Sequence, residues 1–109
     1  MNTKHETTRF PTPGRVYFMM TYADQALELP VIRSVICVGR NLIDADSKSN
    51  EWYFQDVVSY KQFGPFTDVS DPHALEEVEV HRLRDDALSL LLDFEKLIIE
   101  LGEWQARMG

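Results

Sequence analysis

The sequence holds 109 residues, 44% hydrophobic and 27% charged, which is the size and mix of one folded domain rather than of two, or of a disordered chain. Eighteen Asp and Glu against eleven Lys and Arg leave a net charge of −7, and residues 71–109 hold ten of those acids but four of the bases. Affinity for nucleic acid or an anionic membrane rests on clustered Lys and Arg; the densest pair here, Arg82 and Arg84, lies among acids, so neither is an expected direct partner.

In chain order, residues 1–14 are polar and end on Pro11, Pro13 and Gly14, the composition of a flexible arm preceding a single domain over 15–109. The first ten residues lack the apolar stretch of a secretory signal, and no run approaches the ~20 apolar residues that span a bilayer. Arg15–Tyr22 is short, aromatic and aliphatic, and predicts a strand, with a turn at Ala23–Gln25. Leu29–Val38 is dense in Val and Ile and predicts a second strand. Pro30 belongs at its start or on an edge, since it has no N–H for a ladder. The chain's one cysteine, Cys37, lies in this apolar run and reads as a buried thiol, consistent with a reducing cytoplasm.

Residues 41–50 form a polar loop, and Trp52–Tyr60 predicts a third strand. Trp52, Phe54, Val58 and Tyr60 would share one face with Asp56, whose carboxylate then needs a partner or an edge. Residues 61–71 read as a loop. Residues 75–84 read as an edge strand on the alternation of Val78 and Val80 with charged residues; the rival is a helix running on from an Asp71 N-cap. A helix is expected over Asp86–Leu101, stopped by Gly102. Its apolar arc is about twice the usual stripe, because Leu88, Leu92 and Ile99 widen the face made by Leu90, Leu91, Phe94, Leu97 and Ile98. The expected fold is therefore α+β: a three- to four-stranded, mainly antiparallel sheet packed against one C-terminal amphipathic helix.

No nucleophile–base arrangement, glycine-rich phosphate loop or metal-ligand spacing marks a catalytic, cofactor or metal site. His73, Glu77 and His81 would share a face only if all of 73–81 were helical, and a solvated polar face accounts for them. The excess apolar helix surface needs a cover that one small sheet cannot provide. Leu88, Leu92, Glu95, Ile99 and Trp104 are the expected interaction surface, with a protein partner or a second copy of the chain as occupant. The function read from this is a small acidic, non-enzymatic interaction module of the adaptor, inhibitor or immunity type. The alternative is a small-molecule-binding domain or enzyme that uses the aromatic sheet face with Asp56 or His81.

Overall fold

The computed structural model describes residues 10–43 and 50–109. Five strands form one antiparallel sheet: β1 (Val16–Tyr22), β2 (Pro30–Arg40), β3 (Glu51–Asp56), β4 (Val80–Arg84) and β5 (Leu91–Leu92). Their order is β4-β3-β2-β1-β5, so the first four make a meander and the fifth returns to the free side of the first. The fold is thus α+β as the sequence implies, with five strands instead of three or four. The additional one is the two-residue β5, where Leu92 faces Phe18 and Leu91 faces Met19.

That return demands curvature. Strands about 4.8 Å apart would place β4 and β5 about 19 Å from each other in a flat sheet. The link between them is a 3-10 helix, Asp85–Leu90; at a rise of about 2 Å per residue, seven steps cover about 14 Å. The sheet therefore curls toward closure around its concave face. Cross-strand pairs place Tyr17, Val35, Cys37, Phe54, Trp52 and Leu83 on that face. Val35, Cys37, Trp52, Phe54 and Leu91 are its buried centre, with Tyr17, Met19, Leu83 and Leu88 packed around them.

Among the described residues three α-helices decorate the sheet: α1 (Val57–Phe63), α2 (Pro72–Glu77) and α3 (Phe94–Met108). The expected third strand over Trp52–Tyr60 ends four residues early. Asp56 turns the chain by accepting a hydrogen bond from the Val58 N–H at 3.3 Å, the geometry of a helix N-cap. Gly64, at φ +80° in the left-handed region, closes α1 with its N–H on the Tyr60 carbonyl at 2.8 Å. The 64–66 segment then folds back on the convex face of β3, where Phe66 lies 5.8 Å from the Tyr53 ring. β3 is consequently buried on both faces.

The ambiguous stretch 75–84 is split between both readings. Asp71 caps α2 through the His73 N–H, with Pro72 at its first position; the helix stops at Glu77 and β4 begins at Val80. The helix expected over Asp86–Leu101 is displaced. Residues 85–90 are 3-10, 91–92 are strand, and α3 begins only after Asp93, whose carboxylate accepts from the Lys96 N–H at 2.8 Å. Burial of Leu88 and Leu91 in the concave core overrides the helical period there. Gly102 does not stop α3, because the last turns are tied down. Trp104 Nε1 donates to the Glu28 carbonyl at 3.2 Å, and Arg107 donates to the Leu27 carbonyl at 3.2 Å and the Tyr22 hydroxyl at 3.3 Å.

Of the expected arm, residues 1–9 lie outside the described residues, as do 44–49 of the polar loop. Residues 10–14 pack on the sheet: Phe10 is 5.6 Å from the Trp52 ring, and the Gly14 N–H donates to the Cys37 carbonyl at 2.8 Å. Among the described residues no helix is long and apolar enough to cross a membrane.

Candidate interaction surface

The residues proposed from sequence fall into two places. Asp56 and His81 share the concave face at one end of the sheet: Val35 faces Asp56, and Phe54 faces His81. Glu79 lies next to them, since its carbonyl accepts from the Asp56 N–H at 2.9 Å, and Arg33 reaches across to the Glu79 carboxylate at 3.5 Å. Both members of that ion pair are at least half exposed, where such contacts add little. His81 Nε2 is buried and has no hydrogen-bond partner among the described residues. Asp56 borders a shallow groove with Val57 and Val58, and His81 does not line it. The aromatic rings that could have stacked on a ligand are used within the fold. Trp52 and Phe54 fill the concave core, Tyr17 meets Phe54 edge-on at 6.4 Å, and Tyr53 is covered by Phe66.

His73 and Glu77 sit in α2 while His81 sits in β4, so the three do not lie along one helix. Among the described residues no group of three His, Cys, Asp or Glu is arranged to hold a metal ion. Cys37 is fully buried and free, and burial pushes its thiol up to about 11 despite the opposing hydrogen bond from the Gly39 backbone. It is poorly placed to act as a nucleophile.

The second place is α3. Its sheet-facing stripe is Leu97, Leu101, Trp104 and Met108, spaced i, i+4, i+7, i+11; Leu97 is buried, Leu101 and Trp104 half-buried. Steps of about 100° put Glu95, Ile99, Gly102 and Ala106 on the opposite side of the helix, with Ile98 beside them. Phe94 touches Phe18 at 6.5 Å between ring centres yet stays 63% exposed, and Ile98 and Ile99 are 52% and 59% exposed. Of the five residues expected at an interaction surface, Glu95 and Ile99 face outward. Leu88 packs on the core, Leu92 is half-buried in β5, and Trp104 is hydrogen-bonded to the β1–β2 loop.

Sequence reasoning put Leu90 on the apolar helix face, whereas it ends the 3-10 link before β5 and is 63% exposed; it missed Val58, at 70% the most exposed large aliphatic among the described residues. A signal for Val58 existed in the Asp56 cap. Read as N-cap rather than strand, it turns the following Val57-Val58 pair out of the sheet. No known protein-family model matches the sequence, and neither a curated protein nor a solved structure is significantly similar to it.

Proposed function

We propose that the chain is a small acidic, non-enzymatic protein-interaction module that pairs with a second copy of itself through the outward side of α3. The observation carrying this is the exposure of Ile98 and Ile99 on a helix whose other stripe is already engaged by the sheet, with Phe94, which touches Phe18, also exposed at the edge of that stripe. Water around three such side chains is unfavourable by about 25 cal/mol for each Å² that a partner could cover. Gly102 and Ala106, on the same side as Ile99, let a second helix come close, toward the lower end of the usual 8–10 Å separation. The acids of the last third, ten against four bases, favour a basic surface for any further partner of the pair. A free, buried cysteine suits a reducing cytoplasm as the setting.

The test is light scattering during size exclusion at the highest soluble concentration. The expected mass is twice 12.7 kDa for the wild type, and the single-chain value for Ile99→Glu with an unchanged circular dichroism spectrum. A wild type that elutes as a single chain would remove the basis of this reading.

A further inference from the structure

β2 is eleven residues long, but β3 accompanies it only from Val35 onward. Before that point β1 continues to pair with it, from Phe18 opposite Ser34 to Tyr22 opposite Pro30. On its other side, Pro30–Arg33 has no neighbouring strand among the described residues. The direction of the backbone groups follows from alternation. The Leu29 carbonyl accepts from Ala23, and Cys37 exchanges bonds with Gly14 and Arg15, so odd-numbered residues face the β1 side. Even-numbered ones face away, which aims the N–H and C=O of Ile32 and the C=O of Pro30 into the gap. The N–H that Pro30 lacks falls on that side too, where its absence breaks no ladder.

A groove of about 490 Å³ runs beside these groups, lined by Val31, Ile32, Arg33 and Ser34 of β2 and by Asp56, Val57 and Val58 where α1 begins. One unpaired backbone donor and two acceptors next to a partly aliphatic groove are complementary to one kind of chain, an extended strand, because a helix satisfies its own N–H groups internally. The gap spans four residues, about 13 Å, between the turn of the chain at Asp56 and the β1–β2 loop. With α1 standing along it, the gap admits a single extended segment more readily than a second copy, whose β2 would arrive flanked by its own α1. Charge narrows the occupant further. Asp56 and Arg33 both line the groove and Glu79 adjoins Asp56, so two carboxylates stand against one guanidinium, Arg33, already tied to Glu79; Lys61 lies a turn further along α1.

We propose that the gap beside Pro30–Arg33 receives an extended segment of a partner protein, aliphatic at alternate positions and carrying Lys or Arg, which adds to the sheet as a strand. This site is independent of the α3 pairing.

The probe is a phage-displayed library of random peptides panned on the full chain. Enriched peptides are expected to alternate aliphatic residues and to carry Lys or Arg. Titration should show binding weakened about tenfold or more by Val58→Asn and by Ile32→Pro, and unchanged by Ile99→Glu. Amide exchange at Ile32 should slow when peptide is added. Val58 is exposed enough for its replacement to leave the fold intact, so that variant decides the matter if Ile32→Pro unfolds. Four results would each overturn the proposal: no enriched peptide, equal binding to Val58→Asn, binding lost in Ile99→Glu instead, or a dimer that dissociates in Val58→Asn but not in Ile99→Glu.

Discussion

The Asp85 carboxylate accepts hydrogen bonds from the Arg40 guanidinium at 2.6 Å and from the Trp52 indole N–H at 2.9 Å. Arg40 also bonds the Asn50 side chain at 3.0 Å and lies over the rings of Phe10 and Trp52. One acid thus joins the end of β2, the start of β3 and the link out of β4. The Arg40 hydrogen bond, with a smaller contribution from Trp52, holds the Asp85 carboxyl below its ordinary value. A carboxyl whose folded pKa is depressed stabilises the fold above its unfolded pKa of about 4, and that contribution disappears as pH falls through the folded value. Denaturant unfolding across the acid range should therefore show Asp85→Asn less stable than wild type at neutral pH. The two should converge below about pH 4; parallel curves would mean that the charge contributes nothing.

At the scale of elements, the segment between β3 and β4 hangs on Gln55. This residue is fully buried, donates to the Gly64 carbonyl at 2.9 Å and the Ser59 hydroxyl at 3.3 Å, and accepts from the Phe66 N–H at 2.7 Å. Gln55→Ala leaves two backbone groups of that segment without a partner and opens a cavity, for a loss of about 2–4 kcal/mol. The urea midpoint should fall accordingly, and a change below the error of the measurement would show that water replaces the amide. The sequence made β1 and β2 legible because their Val, Ile and aromatic density has no helical competitor. It misled at two points for the same physical reason: a side chain at an element's end decided the matter. Asp56 reads as a misplaced inward acid in a strand and is a cap. Asp93 sits inside a helical period and is the true start of α3, so two of the three residues that widened the apolar arc, Leu88 and Leu92, do not belong to the helix, and only Ile99 does. The exposed Ile98 and Ile99 survive that correction, which is why the interaction reading does not depend on it.

For the whole molecule, closure of the curled sheet sets what solvent can reach. Cys37 lies at the centre of the concave face with no exposed surface, and burial raises its thiol to about 11. A thiol reagent at about pH 8 should leave the native protein unmodified. Labelling should appear only as urea populates the unfolded state, with the same midpoint as the loss of circular dichroism. Rapid labelling without denaturant would show that the sheet opens locally between β2 and its neighbours.

The short link that brings β5 back to β1 also fixes the order in which the chain can be completed as it is made. The meander β1–β4 contains neighbouring partners and can form once residue 84 is available, whereas β1 gains its second neighbour only when Leu91 and Leu92 appear. The α3 ties follow later still, across sequence separations of 76 and 85 residues for Trp104 to Glu28 and Arg107 to Tyr22. At roughly 5–20 residues per second of synthesis, the interval is on the order of a second. During it, the N-terminal strand presents one unpaired edge with Phe18 and Met19 upon it, and a nascent chain halted there carries a sticky strand that the finished protein conceals.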